Sequence, residues 1–109
     1  MLAIALLLIT LNVDVQAQKI IKAELVFKGI KKISGNWQLW FTDRKNKPYL
    51  FNPQRSNTAP YIFYHTEGDG SLKENEKVKN NWFRISYTNL LHDKTVSKII
   101  THVEASITK

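Results

Sequence analysis

Residues 82–88 read Trp-Phe-Arg-Ile-Ser-Tyr-Thr, a stretch in which apolar and polar side chains alternate. Successive side chains of a β-strand point to opposite faces, so this alternation predicts a strand with one buried face. The two predicted faces carry Phe83, Ile85 and Tyr87 on one side, and Trp82, Arg84 and Ser86 on the other. Strands of this half-polar kind are typical of antiparallel sheets, so the stretch indicates an all-β fold.

The same alternation predicts strands on both sides of this stretch. The first begins at Lys19 and is long, with a bend or bulge expected at Gly29. Together with the stretch already described, the remaining predicted strands cover residues 37–42, 49–51, 61–65, 82–88 and 96–107. In the last strand, the alternation places these residues on one face: Ile99, Thr101, Val103, Ala105 and Ile107. Residues 72–79 are charged and predict one or two helical turns, too short for the crossover helices that parallel sheets need.

Three of the predicted strands carry aromatic and β-branched motifs in a characteristic order. Residues 36–41 read Asn-Trp-Gln-Leu-Trp-Phe, residues 81–87 read Asn-Trp-Phe-Arg-Ile-Ser-Tyr, and residues 97–104 read Ser-Lys-Ile-Ile-Thr-His-Val-Glu. This order resembles the small OB-like barrels of the bacterial cell envelope and periplasm. The resemblance implies a small antiparallel barrel of five to six strands with a ligand face on its second and third strands. The strand predicted at 61–65 departs from the pattern, so an SH3-like barrel and a small β-sandwich remain as alternatives.

The N-terminal residues have the pattern of a secretory signal peptide. Residues 2–11 are almost entirely apolar, and residues 15–17 read Val-Gln-Ala, a small-x-small cleavage pattern. We therefore predict a signal peptide over residues 1–17 and a single β domain over residues 18–109, exported to the periplasm or outside a bacterial cell. The apolar run is shorter than the roughly 20 residues that span a bilayer, so no membrane span is expected after cleavage.

The chain is strongly basic. It has 16 Lys and Arg residues against 9 Asp and Glu residues, a formal net charge of +7. All 16 basic residues follow residue 17, whereas Asp14 would leave with the signal peptide, so the exported domain would carry +8. A field of this sign favours anionic ligands such as nucleic acid or acidic glycolipid.

Catalytic and metal-binding patterns are missing from the sequence. The chain has no Cys, no Gly-x-Ser-x-Gly motif and no Gly-rich phosphate loop. Its three histidines, His65, His92 and His102, lack the spacing of zinc ligands. We therefore expect a protein that is not an enzyme and that has neither a cofactor nor a metal.

Aromatic and basic side chains supply a candidate binding site. The alternation places Trp40 and Trp82 on the faces opposite the continuous apolar sets, where an indole ring can stack on a ligand. Basic residues flank both tryptophans in the sequence, and the predicted site consists of Trp40, Arg44, Lys45, Lys47, Trp82 and Arg84. The alternative is that the two indole rings cover an end of the barrel or pack beneath residues 54–80.

These features favour a non-catalytic binding or interaction domain of the bacterial envelope. We expect a monomer whose partner is an envelope protein or glycan, held by an aromatic patch with a basic rim. One alternative is a basic domain that binds a polyanion, either nucleic acid or acidic glycolipid. Another is an inhibitor of a secreted enzyme, which would present residues 43–47 as a protruding loop.

Overall fold

The computed structural model describes residues 19–92 and 94–106, so the predicted signal peptide and Ile107 lie outside the described residues. Its seven strands are β1 (Ile21–Ile33), β2 (Asn36–Thr42), β3 (Pro48–Phe51), β4 (Tyr64–Thr66), β5 (Leu72–Glu74), β6 (Trp82–His92) and β7 (Thr95–Ala105). No helix occurs within these two ranges. The all-β prediction is confirmed.

Five of the strands form one antiparallel sheet, and the other two form a small hairpin. The order in the larger sheet is β3-β2-β1-β6-β7, and β4 pairs with β5. The segment after β3 reaches the free edge of β7, where the backbone N–H groups of Asn52 and Asn57 donate to the carbonyls of Lys98 and Ile100 at 2.9 and 2.8 Å. The sheet therefore curls until its two edges approach, although β3 and β7 do not pair as strands.

The bulge predicted at Gly29 is present and divides β1 into two halves. The first half pairs with β6 from Ile21 to Val26, and the register with β2 shifts between Phe27 and Gly29. Beyond the shift, β1 pairs with β2 alone. The bulge therefore separates the half of β1 that pairs with β6 from the half that pairs with β2 alone, and an extra residue of this kind bends the strand that carries it.

A second bulge corrects the predicted face of the last strand. Tyr87 pairs with Ile100 and Ser86 pairs with His102, so Thr101 is an additional residue in β7. Thr101 is exposed and its hydroxyl donates to the Ser86 carbonyl at 3.1 Å. The extra residue reverses the alternation, and Ile100 joins Val103 in the core. The prediction that Thr101 shares the apolar face was therefore wrong.

Two further predictions between β3 and β6 also need correction. Residues 72–79 form β5 and a series of turns rather than a helix, because Glu74 and Asn75 bind the distant backbone of Ile30 and Phe63. The Asn75 carboxamide also accepts the Lys77 N–H at 3.1 Å and closes a local turn. The strand predicted at 61–65 is reduced to β4, since Phe63 leaves the hairpin and enters the core.

Aromatic rings fill the core between the curled sheet and the segment 52–81. The completely or almost completely buried rings are Phe27, Phe41, Phe51, Phe63 and Phe83. Neighbouring ring centroids among them lie 4.9–5.5 Å apart in tilted or edge-to-face arrangements. Such pairs add to the stabilisation that comes from area burial alone. The predicted inward face of β6 is confirmed, with Ile85 fully buried.

Candidate functional site

The outer face of the sheet brings three of the predicted site residues together. Arg84 lies beside Glu24 in the pairing of β6 with β1. Trp82 lies beside Val26, two residues further along the same pair of strands. The Arg44 guanidinium extends from the β2–β3 loop over the Trp82 ring, with its central carbon 4.9 Å from the ring centroid. The structure thus assembles an aromatic and basic patch from separate elements.

A carboxylate that the sequence analysis did not single out lies at the centre of this patch. Glu24 Oε1 lies 3.4 Å from an Arg44 nitrogen, and Glu24 Oε2 lies 3.7 Å from an Arg84 nitrogen. Arg84 also lies 3.7 Å from Glu104, and the Ser106 hydroxyl donates to Glu24 Oε2 at 2.8 Å. We call these four charged residues the Glu24 cluster: Glu24, Arg44, Arg84 and Glu104. Its formal charges cancel, so two of the predicted cations already have acidic partners.

The environment of Glu24 favours its ionised form. The hydrogen bond from Ser106 is the largest influence and lowers the pKa of the Glu24 carboxyl, whereas desolvation opposes it by a smaller amount. The hydrogen bond and charge of Arg44 and the charge of Arg84 lower this pKa further. Ordinary alternation places Glu24 on the polar face of β1, but nothing in the sequence indicates that distant Arg44 and Ser106 would meet it. The central position of Glu24 in the cluster therefore depends on the order of the strands in the sheet.

The lowered pKa of Glu24 predicts an acid-sensitive contribution to stability. A carboxyl with a lower pKa in the folded chain stabilises the fold above its unfolded value of about 4.3, and the contribution disappears as the pH falls through the folded value. We expect Glu24→Gln to be less stable than the original protein at neutral pH and to lose less stability between about pH 5 and pH 3. Urea unfolding across this range measures the difference. Glu67→Gln, on the exposed β4–β5 turn, is the control, and an acid slope equally reduced in both variants would contradict the prediction.

The other two basic residues of the predicted site remain exposed. Asp43 Oδ1 accepts the backbone N–H groups of Lys45 and Lys47 at 2.8 and 2.9 Å, so it fixes the conformation of the β2–β3 loop. Neither lysine forms an ion pair with an acidic residue within the described ranges. The Lys47 ammonium lies 5.9 Å from the Tyr49 ring centroid.

Trp40 does not share a site with Trp82. Trp40 belongs to β2, where it pairs with Gly29 at the bulge of β1 on one side and with Leu50 of β3 on the other. The Lys31 ammonium covers its ring at 4.1 Å from the centroid. Both Trp40 and Trp82 are half-buried.

A pocket of about 490 Å³ opens next to Trp82, at the end of the sheet where β6 begins and β7 ends. We call it the Trp82 pocket, and its lining includes Tyr61, Val78, Asn81, Trp82, Phe83 and Ser106. The Tyr61 ring packs edge-on against Phe83 with the centroids 5.2 Å apart. Ser106 connects the pocket to the Glu24 cluster through its hydrogen bond to Glu24.

A second pocket, of about 360 Å³, was not predicted from the sequence. We call it the Trp37 pocket, and its lining includes Asn36, Trp37, Gln38, Asn52, Gln54 and Ser97. It lies where the start of β2, the segment after β3 and the edge strand β7 meet. The available sequence signal was an excess of carboxamides around Trp37 and Pro53, but only the curled sheet brings the two groups together.

The histidines are dispersed in this fold. His65 lies on β4 and His102 on β7, both exposed. Throughout residues 19–92 and 94–106, no three His, Asp or Glu residues are grouped so that they could hold a metal ion. Over the same residues, no helix is long and apolar enough to cross a membrane.

Comparison with known proteins gives no further guide to this site. No protein-family model, curated protein or solved structure matches the chain. The features of this chain that bear on its function are therefore the Trp82 pocket, the Trp37 pocket and the Glu24 cluster.

Proposed function

We propose that this protein is a non-catalytic interaction domain of the bacterial envelope, and that it binds a protein partner at the Trp82 pocket. The observation that carries the proposal is a pocket of about 490 Å³ walled by Tyr61, Val78, Trp82 and Phe83, with polar groups at Asn81 and Ser106. Pockets of roughly 300–1,000 Å³ with apolar walls and a few polar groups are typical ligand sites. The partner would insert an apolar or aromatic side chain here.

The surroundings of the pocket support a protein rather than a polyanion as the partner. Tyr, Trp and Arg are enriched where binding energy concentrates in protein interfaces, and all three occur around this pocket. The Glu24 cluster has no net charge, since Glu24 and Glu104 balance Arg44 and Arg84. A polyanion at this cluster would therefore meet the two carboxylates as well as the two arginines.

Export and an OB-like topology are parts of the same proposal. The apolar residues 2–11 and the Val-Gln-Ala of residues 15–17 support secretion. The curled five-stranded sheet, with the backbone of Asn52 and Asn57 joined to the edge of β7, supports an OB-like arrangement. The protein would then work in the envelope, where a small stable domain can present a preformed pocket.

We expect Trp82→Ala to weaken capture of the partner by about 30-fold or more, because truncation of a central interface Trp costs about 2 kcal/mol or more. The measurement is capture from envelope extract by the immobilised protein, followed by titration with the purified partner. Trp40→Ala is the matched control, since Trp40 is also a half-buried, cation-covered Trp but lies away from the pocket. Thermal unfolding of both variants establishes that each remains folded.

Salt dependence separates this proposal from the polyanion alternative. Binding to a protein at the Trp82 pocket should persist at high salt, because exposed charges contribute little to it. Polyanion binding should instead fall steeply with salt, since each neutralised phosphate releases counterions. Binding that disappears at high salt and in a Lys45→Ala/Lys47→Ala variant, but not in Trp82→Ala, would overturn the proposal.

A further inference from the structure

The Trp37 pocket differs in chemistry from the rest of this basic surface. None of the residues that line it carries a charge, although the chain has 16 basic residues. Its lining combines one indole ring with four carboxamide side chains, those of Asn36, Gln38, Asn52 and Gln54. A carboxamide has both donor and acceptor groups, so these side chains can hydrogen-bond to a neutral polar ligand.

Most of these hydrogen-bonding groups are free for a ligand. Within the part of the chain that the structure describes, no hydrogen bond engages the side-chain amides of Asn36, Gln38 or Gln54. The Asn52 side chain uses only its amide oxygen, Oδ1, which accepts the backbone N–H groups of Gln54 and Arg55 at 2.9 and 3.1 Å. The Asn52 amino group therefore keeps both of its hydrogens for another acceptor.

The protein backbone holds the two halves of the pocket in a fixed relation. Asn36, Trp37 and Gln38 belong to β2, which lies within the main sheet. Asn52 belongs to the segment after β3, and its backbone N–H donates to the Lys98 carbonyl of β7 at 2.9 Å. A site whose groups are held by strand pairing and backbone hydrogen bonds loses less conformational entropy when a ligand binds.

Trp37 provides a flat apolar wall beside these amides. It is half-buried, and the Lys32 ammonium lies 5.2 Å from its ring centroid. Pyranose sugars have apolar C–H faces that pack on aromatic rings, and their hydroxyl groups both donate and accept hydrogen bonds. An indole ring beside carboxamides that keep free donors and acceptors complements both of these features.

We propose that the Trp37 pocket is a binding site for an uncharged pyranose unit of a glycan. The sugar packs on the Trp37 ring, and its hydroxyls exchange hydrogen bonds with Gln38, Asn52 and Gln54. The pocket volume of about 360 Å³ lies at the lower end of the range for ligand sites, which suits a short saccharide. This site is separate from the Trp82 pocket. On β1, Val26 pairs with Trp82 and Lys32 pairs with Trp37, so the two tryptophans lie roughly 20 Å apart along the strand.

The test uses the full protein and a panel of neutral oligosaccharides: maltotetraose, chitotetraose and mannotetraose, with polygalacturonate as an acidic comparison. Saturation-transfer NMR detects binding, and ¹H–¹⁵N spectra report whether the Trp37 indole N–H signal moves. We expect at least one neutral sugar to bind, and Trp37→Ala and Gln54→Ala each to weaken it by about tenfold or more. Gln54 is exposed, so its substitution leaves the fold intact even if Trp37→Ala does not.

The matched control is Trp82→Ala, which should leave sugar binding unchanged and thereby separates this site from the proposed protein interface. The proposal is overturned if no neutral sugar in the panel binds, or if Gln54→Ala binds as well as the original protein. It is also overturned if polygalacturonate alone binds and is released by salt, since that pattern indicates a charge-driven surface.

Discussion

Phe63→Ala is expected to lower the free energy of unfolding by about 3–5 kcal/mol, the usual cost of truncating a buried Phe. The Phe63 side chain is 1% exposed, and its ring lies 4.9 Å from Phe27, 5.0 Å from Phe83 and 5.3 Å from Phe41 by centroid distances. These three rings belong to β1, β6 and β2, whereas Phe63 belongs to the long connection that crosses the sheet. Removing its ring therefore leaves a cavity and weakens the attachment of the connection to the sheet.

The neighbouring residue provides the control for this prediction. Ile62 is 57% exposed, so Ile62→Ala should change the free energy of unfolding by no more than about 0.5 kcal/mol. Urea denaturation measures both variants, and hydrogen exchange should show faster exchange of the Asn75 N–H in Phe63→Ala, because that group donates to the Phe63 carbonyl at 2.9 Å. Equal stability of the two variants would mean that Phe63 does not hold the connection to the core.

The strands that alternation predicted best are those whose residues all satisfy one local rule. In β6, Phe83, Ile85 and Tyr87 are buried as expected, since a strand in a sheet with one covered face needs only the period of two to orient its side chains. The bulge at Gly29 could also be predicted, because Gly is the residue that most readily adopts a positive φ. Local sequence is therefore sufficient to predict a strand face or a bulge whose geometry depends on neighbouring residues alone.

The predictions that failed depend on interactions between distant residues. The bulge at Thr101 contains no Gly or Pro, and it arises from the pairing of β7 with β6. The charged residues 72–79 form a strand and turns because Glu74 and Asn75 bind backbone groups of Ile30 and Phe63. Helix propensity is a weak preference, and such tertiary contacts override it.

In the candidate sites too, the features set by local alternation could be predicted, whereas those set by contacts between distant residues could not. Alternation predicted that Trp82 and Arg84 lie on the outer face of β6, and Arg44 does approach Trp82. It could not predict that Glu24 lies beside both arginines, because that contact requires the order of strands in the sheet. The Trp37 pocket also depends on the curl that brings Asn52 to the edge of β7.

Gly29→Ala is expected to lower the free energy of unfolding by roughly 2–4 kcal/mol, from backbone strain together with damage to a part-buried ion pair. Gly29 has a φ of +136°, a conformation that residues with a side chain rarely adopt. A Cβ atom at this position would also lie 2.8 Å from Glu74 Oε1. That carboxylate cannot move freely, because it accepts the Ile30 N–H at 3.2 Å and binds the Lys79 ammonium at 2.8 Å.

A double-mutant cycle separates the two causes of this loss. Gly68 lacks a positive φ, and an added Cβ atom there would meet no other atom within 4 Å, so Gly68→Ala should be neutral or slightly stabilising. Glu74→Ala removes the obstructing carboxylate. If steric conflict dominates, Gly29→Ala should cost much less in the Glu74→Ala background, whereas a cost that persists there belongs to the backbone. A Gly29→Ala variant as stable as Gly68→Ala in urea denaturation would show that the bulge needs no glycine.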